Sequence, residues 1–403
     1  MQTKGKELDI TNSFDRSKFD YLPDQDRYLI LPKESELRFN IIGTGNIGQE
    51  HMNVTMLEGR ATIHGVYDPN PKSVEQAKDV FSKYSKENLK IYNTLKEACN
   101  DPKADAIIIC TPNYTHIDVV KEAVKSGKHI FLEKPMATSL EDAHEIMRLA
   151  ENYEGVFQIG LQYRYKPIYV EAVHEALERR TVGNIKTITI MEHRVPFLDK
   201  VGQWNKFSKY SGGTFIEKCC HYFDLFNLFA QSKPVEVFAT GSSAVNFTEF
   251  NYNNERSDII DNGFVIIKYE NGIQCNFNLC MFAPMFYEEL VLCGDEGRLK
   301  ASEFEKFVPL NDPVNYLEII KDGGGPSKVS YPCYPTEIQS SGHSGSTYYE
   351  HVYFVDNIKG KSTSTATVEE GYWSIVVGAA AEESLKTGNL VKIEELLKSH
   401  NIY

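Results

Sequence analysis

Long hydrophobic runs are missing from this chain, and none would span a bilayer as a helix. No membrane partner is expected. Positive charge is also short: 43 Lys and Arg stand against 56 Asp and Glu, a net charge of −13. That balance argues against nucleic acid or an anionic lipid surface as a partner. Cysteine is sparse, 8 in 403 residues, too few for a disulfide framework. Cys219-Cys220-His221 lacks the spacing of a zinc knuckle and has no second ligand pair, so no metal is expected. Residues 1–20 are polar, without the apolar core of a signal peptide. The expectation is a thiol-reduced, cytoplasmic protein.

What is present begins with length. A chain of 403 residues exceeds one ordinary core, so two domains are expected. The organising stretch is Gly43-Thr44-Gly45-Asn46-Ile47-Gly48, entered from the apolar run Phe39–Ile42. Gly43 permits a tight turn, Gly45 lets backbone approach a pyrophosphate, and Gly48 lets the next helix pack on the strand. The amide-rich start of that helix favours an anion. A second apolar run, Ala61–Tyr67, ends in Asp68, twenty residues past Gly48. A carboxylate there accepts from both ribose hydroxyls and repels a 2′-phosphate, which favours NAD over NADP. Lys72 and Ser73 leave NADP some room.

From residue 38 to residue 161, strand and helix alternate. Strands are expected at Phe39–Ile42, Thr62–Tyr67, Ala104–Cys110, His129–Leu132 and Val156–Leu161, with helices between them. This pattern predicts a doubly wound parallel sheet of Rossmann type, with ligands beyond the carboxyl ends of its strands. Gly43–Gly48, Asp68, Thr111-Pro112-Asn113 with His116, and Glu133-Lys134-Pro135 all fall at such ends. They form the expected cofactor-binding set. Residues 1–37 are an extension before it.

Residues 162–364 change rhythm. One helix is expected at Tyr169–Arg180. Strands follow at Ile185–His193, Val235–Thr240, Gly263–Tyr269, Ile273–Phe282 and Glu289–Cys293. Few helices separate them, so an α+β domain with a mostly antiparallel open sheet is expected, one face covered by helix Cys220–Ala230. Asn311–Ser346, rich in Gly, Pro and Ser, reads as a long excursion.

Two stretches carry chemistry. Lys134 at a sheet's carboxyl edge sits in a partly desolvated place, and desolvation is expected to lower its pKa. In the run Ser211–Asp224, Glu217, His221 and Asp224 fall at i, i+4 and i+7, one face of a continuous helix. A carboxylate and an imidazole there can share a proton.

The glycine turn, Glu133-Lys134-Pro135, the run from Gly212-Gly213 through Glu217 and His221 to Asp224, and Gly294–Leu299 occur in one order. Together they resemble the Gfo/Idh/MocA family of NAD(P)-dependent oxidoreductases, over roughly residues 38–391. The resemblance implies Lys134, His221 and Glu217 as catalytic residues, with Glu217 where the family usually has Asp. Which of Lys134 and His221 is the base stays open. It implies hydride transfer between a secondary hydroxyl of a sugar, glycoside or cyclitol and the nicotinamide. It also implies a dimer or tetramer and a late helix, 368–385, returning to the first domain. Ser341–Gly345 resembles a substrate loop of some members, which brings in His343. Tyr163, Arg164, His193, Arg194 and Trp204 are further substrate candidates. Two other readings remain at this point: an NAD-retaining glycoside hydrolase acting through transient oxidation, and a non-catalytic NAD-binding regulator.

Overall fold

Apolar runs rich in Ile and Val alternate with helical periodicity from Leu37 onward, and the chain folds accordingly. The computed structural model describes residues 35–196, 199–305, 313–361 and 365–402. The extension at 1–34 lies outside the described residues. The first unit contains β1 (Leu37–Ile42), α1 (Asn46–Glu58), β2 (Ala61–Tyr67), α2 (Pro71–Ser82), β3 (Lys90–Ile91) and α3 (Leu95–Asn100). It continues with β4 (Ala106–Ile109), α4 (His116–Ala123), β5 (His129–Glu133), α5 (Leu140–Ala150) and β6 (Phe157–Gly160). Its sheet runs β3-β2-β1-β4-β5-β6, every pairing parallel. The chain crosses over between β1 and β4, where open α/β sheets bind ligands. All four residues of β4 are fully buried, as a central parallel strand requires. The expected strand at 104–110 is shorter at both ends. β3 gave no sequence signal, since its two residues are exposed at the sheet edge.

The second unit opens with α6 (Pro167–Val173) and β7 (Ile185–His193). After a short helix at Ser208–Ser211 come α7 (Thr214–Glu217) and α8 (Cys220–Ala230). Seven strands of one large sheet come next, with a separate two-stranded ribbon (Asn251–Tyr252 and Glu255–Arg256) after the first: β8 (Pro234–Ser242), β9 (Asn262–Tyr269), β10 (Gln274–Cys280), β11 (Tyr287–Gly294), β12 (Arg298–Glu305), β13 (Pro313–Ile320) and β14 (Lys328–Ser330). The chain closes with α9 (Ser346–Ile358), α10 (Val368–Thr387), β15 (Val391–Lys392) and α11 (Ile393–Ser399). The large sheet runs β14-β13-β12-β11-β7-β10-β9-β8-β15. Among the described residues, only β7 with β10 is parallel; the other pairings are antiparallel.

The structure corrects three expectations here. The helix expected at Tyr169–Arg180 is α6 followed by a π-helical turn at His174–Glu178. The excursion expected at Asn311–Ser346 contains β13 and β14. Leu317 and Ile319 alternate inward and extend the sheet. The single face expected for Glu217, His221 and Asp224 is broken, because α7 ends at Glu217 and α8 begins at Cys220.

α8 covers one sheet face. Tyr222, Phe223 and Phe226 meet Phe277 of β10 at centroid distances of 4.8, 6.1 and 6.5 Å. α10 touches both units through small residues. A Cβ on Gly371 would lie 2.9 Å from Ile159 of β6, and one on Gly378 would lie 3.1 Å from Ile216 of α7. A capping box between Thr367 and Glu370 starts this helix.

Candidate active site

The carboxyl ends of β1, β2, β4 and β5 place the nucleotide set. Gly43 has φ +89, and a Cβ there would lie 2.6 Å from the Cys110 carbonyl oxygen. A Cβ on Gly48 would lie 2.0 Å from the Gly43 oxygen, so α1 can pack only with glycine. Gly45 differs: its Cβ would meet nothing within 4 Å. No packing demands glycine there, and the open side suits a diphosphate lying on the backbone before α1. Asn46 and Ile47 begin that helix. Asp68 Oδ2 accepts from the Thr44 amide at 2.7 Å, which fixes the carboxylate beside the turn. Asn113, in the turn after Thr111 and Pro112, is buried, and its Nδ2 has no partner among the described residues. A buried amide without a partner fits a ligand's acceptor. These features fit a nicotinamide dinucleotide. His116 is fully buried, its ring nitrogens 2.9 Å from the Pro135 carbonyl and 3.0 Å from that of Thr111. It ties two loops together rather than facing a ligand.

Glu133 ends β5. Its Oε1 lies 2.7 Å from His51 Nε2 on α1, and its Oε2 accepts from the Lys134 amide at 3.1 Å. A Cβ on Gly160 would lie 2.8 Å from that carboxylate, so β6 makes room for it. His51 Nδ1 continues to His351 Nε2 of α9 at 2.7 Å. Lys134 Nζ reaches the Glu217 carbonyl at 3.3 Å. The expected lowering of the Lys134 pKa is overturned. Burial does push it down, but Glu217, Cys220 and Glu133 outweigh burial and hold it above the ordinary lysine value.

His221, in the first turn of α8, moves the other way. Burial first, then the charge of Lys134 and of Lys218, hold its pKa well below the ordinary imidazole value. Its ring stacks on Tyr163 at 4.0 Å with an interplanar angle of 8°. Its Nδ1 is buried without a partner among the described residues. Lysine cation and neutral imidazole therefore share one site.

Buried charges back this pair. Lys218 Nζ bonds the Tyr163 hydroxyl at 2.9 Å and lies 2.9 Å from Glu192 Oε1. Lys166 lies between Glu288 at 2.6 Å and Glu303 at 2.7 Å. Tyr222 donates to Glu288 at 2.6 Å. Glu192 and Glu288 sit on neighbouring strands in register. None of Lys166, Lys218, Glu192 and Glu288 stood out in the sequence, because strand and loop spacing hide a shared interior.

The remaining candidates divide. Arg164 is held by Asp224, with both contacts at 2.6 Å, and by Glu370 at 2.8 Å. Its donors are committed, and Asp224 turns to it instead of to His221. His193 has its ring 6.4 Å from Tyr287, and no described contact ties it to Lys134 or His221. Arg194 and Trp204 do approach. The charge of Arg194 acts on Lys134, and Trp204 lies under Lys200 at 4.9 Å. Lys200 itself, 4.0 Å from Glu217 Oε1, was missed, since it lies in a loop with no periodic signal. His343 sits in a strained loop in which Gly342, His343, Ser344 and Gly345 all have positive φ. Glu50 of α1 holds it at 2.7 Å, and its charge reaches His221. No metal-binding cluster occurs among the described residues.

Residues 37–161 match the family described as "Oxidoreductase family, NAD-binding Rossmann fold". Residues 174–393 match "Oxidoreductase family, C-terminal alpha/beta domain". The chain belongs to the Gfo/Idh/MocA oxidoreductase family. A myo-inositol 2-dehydrogenase of Thermotoga maritima is 25% identical over 365 residues, covering 90% of this chain and 100% of the relative. A scyllo-inositol 2-dehydrogenase (NAD(+)) of Bacillus subtilis is 24% identical over 90% of this chain and 97% of its own. The solved scyllo-inositol dehydrogenase of Lactobacillus casei, with bound NAD(H) and scyllo-inositol, superposes with a TM-score of 0.68. It is 18% identical, covering 89% of this chain and 99% of its own, and shows a shared fold.

Proposed function

We infer that this oxidoreductase moves a hydride between a secondary hydroxyl of a sugar, glycoside or cyclitol and NAD. The observation that carries this is Lys134, at the carboxyl edge of the dinucleotide sheet with its Nζ on the Glu217 carbonyl, and His221, whose buried Nδ1 has no partner among the described residues; the charge of Lys134 holds the His221 pKa down. Gly43, Gly45 and Gly48 with the start of α1 would hold the diphosphate, Asp68 the adenosine ribose, and Asn113 with Glu133 the nicotinamide end. Asp68 supports NAD, because a 2′-phosphate would face its carboxylate. When bound, the nicotinamide supplies the hydride acceptor.

The chain's own residues manage the proton. His221, neutral at pH 7, takes the hydroxyl proton on a ring nitrogen. Tyr163 holds the imidazole plane. Lys134, cationic, stabilises the developing negative charge on oxygen. The Glu217 carbonyl anchors the ammonium. The relatives named as inositol dehydrogenases support a polyol substrate. A second copy of the chain on the open sheet face is part of this reading.

The test is turnover of the purified protein with NAD and with NADP across hexoses, glycosides and inositols. Lys134→Met and His221→Ala are expected to lose roughly 10²–10⁴-fold in kcat while binding NAD normally. Near-normal turnover in both variants sinks the assignment. Released aglycone without reduced nicotinamide would mark a hydrolase instead.

A further inference from the structure

We propose that the substrate carries an anionic group, a carboxylate or a phosphate, held by Lys200 and Arg194 beside the reacting hydroxyl. This rests on the dehydrogenase reading and narrows its substrate class.

Cations buried elsewhere in the protein have close carboxylates. Lys166 has two, at 2.6 and 2.7 Å. Arg164 has Asp224 at 2.6 Å and Glu370 at 2.8 Å. Lys218 has Glu192 at 2.9 Å. That is the ordinary rule for charge removed from water.

Around Lys134 the carboxylates stand further off. Lys200 is one-third exposed, and the carboxylate nearest its Nζ in any described ion pair is Glu217, 4.0 Å away. Otherwise it lies over the Trp204 ring. Arg194, 21% exposed, stands 3.5 Å from Glu192, a carboxylate that Lys218 already approaches more closely. Its Nε donates to the Val195 carbonyl at 3.0 Å, its Nη1 is the atom that faces Glu192, and its Nη2 has no hydrogen bond among the described residues. Among the described residues, Lys134 Nζ bonds a carbonyl and no carboxylate. Lys134, Lys200 and Arg194 therefore stand over Glu217 and Glu192, the latter shared with Lys218, on which Glu288 also acts. Glu133 acts on Lys134 and Lys200 from further away, with its own oxygens held by His51 and the Lys134 amide.

These like charges oppose one another: Lys134 feels Arg194, and Lys200 feels Lys134. A chain with a net charge of −13 has no general reason to gather cations. Lys134 is used at the hydroxyl. Lys200 and Arg194 remain, and a neutral cyclitol offers them hydroxyl acceptors but no charge to offset their own. An anion relieves both, and the guanidinium fork suits its paired oxygens.

The chain has two tryptophans, Trp204 and Trp373. In a Trp373→Phe background, Trp204 fluorescence reports what arrives beside Lys200. With NAD saturating, the titrants are matched pairs: D-glucuronate and D-gluconate against D-glucose and D-glucitol, and glucose 6-phosphate against glucose. The anionic member of at least one pair is expected to bind about tenfold tighter or better. That gap should shrink as salt rises, and it should collapse in Lys200→Met and in Arg194→Met. The salt series uses the parent alone, so a poorly folded variant cannot mask the answer. The carboxylate and phosphate arms separate the two anions. No anion preference in any pair, silence included, overturns the proposal, as does a preference untouched by salt and by both substitutions. Reduced nicotinamide is followed in the same cuvettes. Anion-selective binding without it keeps this proposal and sinks the dehydrogenase reading, whereas oxidation of neutral polyols without anion preference does the reverse.

Discussion

Burial drives an ammonium and an imidazole alike toward neutrality, yet Lys134 and His221 end on opposite sides of pH 7. Glu217, Cys220 and Glu133 lift the first, while Lys134 and Lys218 push the second further down. The sign of the pH dependence follows. His221 has its pKa lowered, so the neutral base persists below the ordinary imidazole range near 6.5. Lys134 has its pKa raised, so the cation persists above its ordinary value near 10.4. The kcat/KM profile is expected to stay flat from pH 7 to 9, with an acid limb well below 6.5. An acid limb at or above 6.5 would contradict the assignment. The glycines separate by the same kind of reasoning. Gly45→Ala meets nothing and should leave Tm unchanged while weakening NAD binding about tenfold or more. Gly48→Ala drives a methyl into the Gly43 carbonyl and should cost roughly 1–3 kcal/mol, read as a lower Tm. The glycine turn and Asp68 stood out as candidates through local spacing, and Lys134 and His221 through the resemblance to the family. The direction of the Lys134 shift was hidden, because its largest raising contributions come from Glu217 and Cys220, more than eighty positions away.

At the scale of elements, the first sheet was readable strand by strand except for β3, whose exposed residues carry no pattern. The second sheet was read too small. β12 and β13 put Leu299, Ala301, Leu317 and Ile319 inward, among charged residues and turn formers that disguise the alternation. The break between α7 and α8 was also invisible, since i, i+4, i+7 spacing assumes one continuous helix. Gly212 (φ +79) and Gly213 (φ +100) lead into α7, and Glu382 of α10 accepts from the Phe215 amide at 2.8 Å. Burial lifts the Glu382 pKa to about 7. Folding therefore favours its protonated form. Its contribution is full below the unfolded value of about 4.3 and is lost as pH rises through 7. Glu382→Gln should remove that component, so the parent loses Tm between pH 4.5 and 7.5 relative to the variant. Parallel curves for the two proteins would show that Glu382 does not titrate there.

For the whole molecule, α10 joins the two units, with Gly371 on β6 and Gly378 on α7, and the candidate site draws Lys134 from the first and His221 from the second. One face of the large sheet packs on α8. The other leaves Phe238, Phe264 and Ile266 at 37, 55 and 54% exposure. Ile266 and Phe238 are direct partners in the β9–β8 register, and Phe264 lies two residues along β9, so the three form one apolar patch. Broad apolar patches on a flat sheet mark association sites. A second copy suits this one, because a two-fold axis sets the same strands against themselves and needs no other surface. A stable contact buries about 800 Å² per partner, an area that a nine-stranded face can supply. Ile266→Lys places like charges across that axis and leaves the packed face untouched. Light scattering is expected to give a multiple of 45.8 kDa for the parent and a smaller mass for the variant, with unchanged circular dichroism. A monomeric parent, or a variant of equal mass, would show that the patch serves something other than a second copy.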